Sequence, residues 1–398
     1  MTGDILFLTH RVPFPPDRGD KIRSWNILQA LAKIAPVHVV ALCDDAADLE
    51  HAEKIASVAA SVHLIPHQKS RAMAVAEALL GGGSASVRAC ASPALTSCVH
   101  KLMQTHPIAA VYAFSGQMAQ YMPESLGSTR FVMDFVDIDS QKFAAWGDER
   151  AGLSGLANRF EAKRLFAFER AVANRAAVSL FVSDAEAQLF RDKTGLDTQK
   201  VQTLENGIDL DRYHPAHEGR AEPAGQGPLI VFTGQMDYAP NEDAVDWFAR
   251  FVVPHLPGIR FAIVGRAPSA RVRTLGGIAG VTVTGEVADT RDWIASADVV
   301  VAPLLLARGV QNKVLEAMAM GKAVVASPAA AEGINAVAGE HLRVAESAEG
   351  QAAAINELLA APEIAAKLGK AARAQMEARY GWAATLARLP LLLAGDGA

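Results

Sequence analysis

Short apolar runs alternate with helix-forming stretches along almost the whole chain, and this alternation constrains the fold more than any other feature. In the first half the candidate strands are Ile5–Thr9, Val37–Cys43, Val62–Ile65, Ala109–Ala113, Phe131–Asp134, Ala177–Val182 and Val201–Leu204. In the second half they are Leu229–Thr233, Phe261–Val264, Val281–Thr284, Val299–Ala302 and Ala323–Ser327. Most are near-continuous apolar runs rather than alternating ones, the mark of strands buried on both faces. Strands that alternate with helices predict parallel sheets covered by helices, a doubly wound α/β architecture.

The series is interrupted once. Residues 214–228 read HPAHEGRAEPAGQGP, rich in Pro, Gly and charge and without periodicity, which predicts a linker. The chain then divides into a first domain at 1–213 and a second at 229–379, each with strands enough for its own sheet. The remaining segment, 380–398, opens on Tyr380-Gly381-Trp382 and continues as the apolar stretch Ala383–Leu393. Two placements are open for it: docked back on the first domain, or the last helix of the second. With 398 residues, 51% of them hydrophobic, there is apolar material for more than one core. Two such domains create a cleft. Ligands of open α/β sheets sit beyond the carboxyl ends of the strands, so chemistry is expected in the loops that follow each strand.

Several function classes drop out. The net charge of −5 argues against a nucleic-acid partner, which would favour a basic surface. Three cysteines, Cys43, Cys90 and Cys98, do not make a disulfide framework and fit a reducing compartment. Asp4 stands where a signal peptide would carry basic residues, and the run Ala72–Gly83 is too short to span a bilayer and contains Glu77. The expectation is a soluble, cytoplasmic protein, with peripheral contact at the inner face of the membrane left open. The eleven histidines show no metal spacing: His63 and His67 are separated by Pro66, and only His10 lies in a loop near the cleft. G-x-G-x-x-G and G-x-x-x-x-G-K-[ST] are both absent, which lowers nicotinamide and P-loop readings.

The most informative segment is PLLLARGVQNKVLEAMAMGKAVVAS, Pro303–Ser327. A strand ends at Ala302, a loop with Gly309 follows, Lys313–Met320 is rich in helix formers, and Gly321 sits where a helix terminates. Gly309, Val310 and Gln311 are therefore expected at a helix N-terminus beyond a strand end, where free N–H groups and the helix dipole favour an anion. Lys313 and Glu316, three residues apart, share a helix face. A lysine at a phosphate cradle and a carboxylate one turn deeper can hold a diphosphate and a ribose diol. The competing reading is an ordinary surface ion pair. Following the first strand, HRVPFPPDRGDKIRSWN (10–26) is stiffened by prolines. Gly19 there allows close ligand approach, and Asp20, Lys21 and Arg23 open a helix predicted at Ile22–Lys33. The competing reading is an ion-paired helix start. Asn158–Arg175 reads as a cationic amphipathic helix, either a solvated face or a contact for anionic lipid headgroups.

Glu316-Ala317-Met318-Ala319 resembles the EAMA-type helix closing the acidic E-x7-E element of retaining GT-B glycosyltransferases of family 4. The resemblance implies a GT-B fold: two doubly wound Rossmann-like domains facing a central cleft, the second binding the donor and the first the acceptor. It implies that Glu316 binds the ribose hydroxyls of a nucleotide sugar and that Lys313 neutralises the diphosphate. The first glutamate of the element is replaced by Arg308, a departure that suits an acidic sugar or a phosphate. Many relatives carry Arg and a later Lys after the first strand of the second domain. This chain has Gly234-Gln235, which shifts charge compensation to Lys313 and Arg266. Gly285 and Val287 fall where such folds bind the base through backbone groups, and Gly19 where a loop adjoins donor phosphate and acceptor. His10, Asp20, Arg23 and Asp139 fall on the acceptor side. In Asp134-Phe135-Val136-Asp137-Ile138-Asp139-Ser140, Asp137 or Asp139 is a base for the acceptor hydroxyl, Asp134 is structural, and helix capping is the competing role. An Asp-x-Asp pair can also hold a metal, but the GT-B setting implies none. Catalysis is thus assigned to Lys313, Asp137 and Arg308.

PFPPDRGDKIR, DFVDIDSQK, GQMDYAPN and ARGVQNKVLEAMAMG together resemble a narrower group, the sugar transferases associated with PEP-CTERM/exosortase exopolysaccharide loci. The implied activity is transfer of a sugar, with retention, from a nucleotide-diphosphate sugar to a glycan or lipid-linked acceptor. No cofactor is implied beyond that co-substrate. The alternatives are a non-catalytic nucleotide-sugar-binding component of an assembly complex and a GT-B nucleotide-sugar epimerase.

Overall fold

A computed structural model describes residues 2–67, 69–149, 152–307 and 310–394. The chain forms two compact units, one of Met1–Asn206 with Thr385–Ala398, the other of Gly207–Ala384. The border lies ahead of the Pro/Gly-rich stretch at 214–228, which belongs wholly to the second unit. Within it His217 meets Asp292 at 2.6 Å, and Ala221 donates to the Asp292 carbonyl and to Ser296 Oγ, so the apparent linker is fastened to the helix Thr290–Ser296 of its own unit.

The first unit holds β1 (Asp4–Thr9), β2 (Val37–Cys43), β3 (Ser61–Pro66), β4 (Ile108–Phe114), β5 (Arg130–Val136), β6 (Val178–Phe181) and β7 (Val201–Thr203). All pairs are parallel, in the order β3-β2-β1-β4-β5-β6-β7. Every residue of β2 is buried, as a strand covered on both faces requires. The helices used below are α1 (Gly19–Ala32), α2 (Arg71–Gly81), α3 (Ala85–Ala89), α4 (Asp139–Glu149) and α5 (Gly152–Arg175). The C-terminal helix Leu389–Ala394 takes the first of the two placements open to it. Leu389, Leu392 and Leu393 are buried, and Arg130 at the start of β5 donates to the Leu392 carbonyl at 2.6 Å.

The second unit holds β8 (Leu229–Thr233), β9 (Arg260–Val264), β10 (Val281–Gly285), β11 (Val299–Ala302), β12 (Val324–Ala326) and β13 (Arg343–Val344), parallel in the order β10-β9-β8-β11-β12-β13. Its relevant helices are α6 (Ala239–Trp247), α7 (Thr290–Ser296) and α8 (Asn312–Ala319). Gly207 is required by packing: an added Cβ would lie 2.6 Å from the Trp382 ring. Ile208 pairs with Gly381 there, so the two crossing segments run side by side.

Candidate functional site

In the second sheet the strand order reverses between β8 and β11, and there an open α/β sheet leaves a crevice beyond its carboxyl ends. A cavity of about 550 Å³ occupies that place. Its walls are the loops after β8 (Gly234, Gln235), β9 (Gly265, Arg266), β10 (Glu286, Val287) and β11 (Val310–Lys313), closed by Glu316 and Tyr213. Gly265 is what lets two of these loops meet. Its φ is +152°, and an added Cβ would stand 1.7 Å from the Gly234 carbonyl oxygen. Gly285, with φ of +70°, accepts from the Gly265 N–H at 3.2 Å and adjoins the wall.

α8 starts at Asn312 with Gln311 as its N-cap; the Val314 amide donates to the Gln311 carbonyl at 2.9 Å, and Val310–Lys313, which lead into the first turn, line the cavity. Beyond its end Gly321 takes φ of +66°, the left-handed turn expected there. Lys313 Nζ sits 4.4 Å from the centroid of the buried Phe232 ring and donates to Asn241 Oδ1 at 2.5 Å. Asn241 is held in turn, donating to the Gln235 carbonyl at 2.9 Å. Burial pushes the lysine down to about 8, against the opposing charge of Glu316. Glu316 accepts from the Tyr213 hydroxyl at 3.1 Å. Burial pushes its carboxyl up to about 7, against that hydrogen bond and the charges of Arg212 and Lys313. Thr233 Oγ1, at the tip of β8, is buried without a hydrogen-bond partner and lines the same cavity. Arg266 donates to Gln235 Oε1 at 3.0 Å, so the glutamine orients the second cation of the wall.

The structure therefore brings together Gly234, Gln235, Arg266, Val287, Val310, Gln311, Lys313 and Glu316. Arg308 and Gly309 lie outside the described residues. Gly19 opens α1 in the other unit and is no part of this wall; a Cβ there meets nothing within 4 Å. Sequence reasoning misses Tyr213, Thr233 and Asn241. Asn241 and Thr233 stand within or beside motifs already singled out, but Tyr213 carries no local signal.

The first unit gathers its polar groups at the carboxyl ends of β1, β4 and β5. Asp20 accepts from Arg11 at 2.7 Å and lies 3.4 Å from His10 Nε2. Burial opposes its ionisation, but His10 and Arg11 outweigh burial and hold the carboxyl well below the usual carboxylate range. His10 Nδ1 is buried without a partner. Asp137 and Asp139 share Lys142, at 2.8 and 2.9 Å, and Asp139 also accepts from Gln117 at 3.1 Å. Two non-glycine residues beside them have left-handed backbone, Ser115 (φ +76°) and Val136 (φ +72°), a strain that clusters at functional loops.

Arg23 corrects the sequence reading. It is 1% exposed and all its donors are used inside the unit. Asp134 accepts at 3.0 and 3.1 Å, Leu204 and Glu205 through their carbonyls at 2.8 and 3.2 Å, and Asn206 Oδ1 at 2.9 Å. It clamps the chain where it leaves the sheet, its guanidinium donors bonded within the unit. Asp134 is structural, as expected; burial pushes its carboxyl up, against Arg23 and Tyr112.

Among the described residues, one cluster has the donor set for a metal: His217, Asp289 and Asp292. His217 Nε2 already meets Asp292 at 2.6 Å and Asp289 is paired with Arg291, so these groups satisfy one another.

Comparison with known proteins fits this geometry. Residues 227–361, which hold the cavity's four loops, match the family model described as glycosyl transferases group 1. Three solved structures are similar over nearly their whole length. They are sucrose-phosphate synthase from Thermosynechococcus elongatus (16% identity, 98% of each chain, TM-score 0.62), HepE from Anabaena in complex with UDP-glucose (16%, 98% of each chain, 0.62), and WaaG, a glycosyltransferase involved in lipopolysaccharide biosynthesis (16%, 98% of this chain and 100% of that one, 0.60). The fold is GT-B. At these identities the structural neighbours establish the GT-B architecture alone, and the family match to the second unit adds support for a GT-B glycosyltransferase. No curated protein sequence matches the chain.

Proposed function

We propose that the protein is a retaining glycosyltransferase of family 4 that moves a sugar from a nucleoside-diphosphate sugar to a glycan or lipid-linked acceptor. The observation that carries the reading is the pairing of Lys313 with Glu316 inside a cavity at the strand switch of the second unit. In this reading Lys313, Arg266 and the first amides of α8 meet the diphosphate, and Glu316, oriented by Tyr213, accepts from the ribose hydroxyls. Gly285 and Val287 present backbone groups to the base. The UDP-glucose held by HepE is a donor of the proposed class. As the bond from the anomeric carbon to the diphosphate breaks, the acceptor oxygen bonds to that carbon from the same face. Its proton passes to Asp137 or to the departing phosphate, whose charge Lys313 stabilises. Arg308 is assigned to the sugar. The motif combination supports a place in exopolysaccharide synthesis of the PEP-CTERM-associated kind, on the cytoplasmic side where such donors are made.

The test is release of nucleoside diphosphate by the purified protein with acceptor extract supplied, followed against pH. Above about pH 8 Lys313 loses the charge that meets the diphosphate, and below about pH 7 Glu316 gains a proton and ceases to accept from the diol. The expected kcat/KM profile is bell-shaped with limbs near those values, belonging to the pair rather than to either group. Glu316→Gln should remove the acidic limb. Donor binding without turnover would favour the non-catalytic component that Gln235 and Arg308, the two departures from the family pattern, suggest. Product formed without acceptor would favour an epimerase.

A further inference from the structure

One helix of the first unit is amphipathic in the wrong sense. α2 turns Ala74 and Ala78 inward, 1% and 3% exposed, and leaves Met73, Val75, Leu79 and Leu80 in solvent, Leu79 at 66% and Leu80 at 91%. A surface helix normally buries its largest apolar side chains. The apolar surface continues onto α5. Arg164 donates to the carbonyls of Ala78 and Gly83 at the end of α2 and lies 4.0 Å from the centroid of the Phe160 ring. Leu156 and Phe160, one turn apart, are exposed at 60% and 49%. Along the same face of α5 the pattern becomes cationic with Lys163 and Arg170, both exposed. Arg159 of this helix is paired with Asp148 at 3.4 Å, whereas Lys163, Arg170 and Arg88 have no ion-pair partner among the described residues.

The acids of these two helices are already engaged, Glu77 of α2 half-exposed with Lys69 at 2.5 Å. Glu161 is consumed by Ser84 Oγ and the amides of Ala85 and Ser86, and Glu169 is buried against Ser140. A chain of net charge −5 thus places unpaired positive charge beside the exposed Leu79 and Leu80. Arg88 and Arg175 also line a cavity of about 420 Å³ at the edge of the patch, room enough for a headgroup. Among the described residues no helix is long and apolar enough to cross a membrane, so the only bilayer contact open to these helices is along the surface.

We propose that this face docks on an anionic lipid bilayer. Leu79, Leu80 and Phe160 enter the boundary between headgroups and acyl chains, and Lys163, Arg170 and Arg88 meet lipid phosphates. The basic helix expected from sequence thus contributes charge and Phe160, while the leucine anchor lies in α2. The surface belongs to the first unit, shares no residue with the donor cavity and is tested without nucleotide.

The full chain is sedimented with vesicles of phosphatidylcholine mixed with phosphatidylglycerol, and with vesicles of phosphatidylcholine alone. Binding is expected to the mixed vesicles only, and to weaken in high salt as the Debye length shortens from about 8 to about 3 Å. L79E/L80E should abolish it. Lys163→Ala and Arg88→Ala should each weaken it roughly fivefold. The substituted positions are exposed, so unchanged circular dichroism is expected and keeps the loss interpretable. Absence of wild-type binding to the mixed vesicles would overturn the proposal, as would L79E/L80E binding like wild type. A protein dimeric without lipid and made monomeric by L79E/L80E would overturn it too, giving the face to a second copy.

Discussion

Lys313→Ala is expected to lower kcat for sugar transfer by roughly 10²–10³-fold, the usual loss when a preorganised donor to developing charge is removed. The structural reason is the isolation of this cation. Its ammonium lies against the Phe232 ring, has Asn241 as its fixed neutral partner, and faces one carboxylate, Glu316, a turn away. Burial has already weakened its hold on the proton, so an arriving diphosphate gains an attraction that water screens little. Single-turnover transfer with saturating donor reads the effect on chemistry directly. A kcat within a factor of about two of wild type would remove Lys313 from the reaction.

The second large effect concerns the other unit. Arg23→Ala should destabilise the first unit by about 3–5 kcal/mol, because it strands the buried Asp134 carboxyl. It also leaves the carbonyls of Leu204 and Glu205 without this donor. Hydrogen exchange of the amides in β4, β5 and β7 reports the loss, with protection in β8–β12 largely retained. The double variant R23L/D134L should recover part of the loss, since removing both charges leaves neither buried alone. Arg23→Ala with wild-type protection would show that the clamp carries no stability.

Both predictions mark how far the sequence can be read. The strands are legible because burial on both faces writes itself as continuous apolar runs, and every strand from β1 to β12 overlaps an expected run. β13 escapes because it is two residues long and begins with Arg343. Lys313 and Glu316 are legible because spacing alone puts them on one helix face beyond a strand end. Tyr213, which orients Glu316, is not, because nothing local marks a tyrosine as the partner of a carboxylate a hundred residues away. Arg23 misleads through its residue type, although its period is available. It shares the i, i+4, i+8 face of α1 with Ile27 and Leu31, all buried. The charges of 158–175 are plain in the sequence. Which of them remain free depends on Glu161 and Glu169 turning inward, a tertiary fact. The run at Ala72–Gly83 is too short for a span, and that shortness hides its exposed leucines.

Sugar transfer as proposed requires the cavity beyond β8 and β11 to seat a nucleoside diphosphate joined to a sugar. The most direct measurement is a thermal-shift panel of UDP-, GDP-, ADP- and CMP-sugars on the wild-type chain and on Glu316→Ala. Ligand bound only to the folded state raises the midpoint by mass action, about 2.7 kcal/mol at a hundred times Kd. A rise with one or more of the diphosphate sugars, lost or sharply reduced in Glu316→Ala, is the predicted result. No rise with any of them, or an equal rise in the variant, would contradict it.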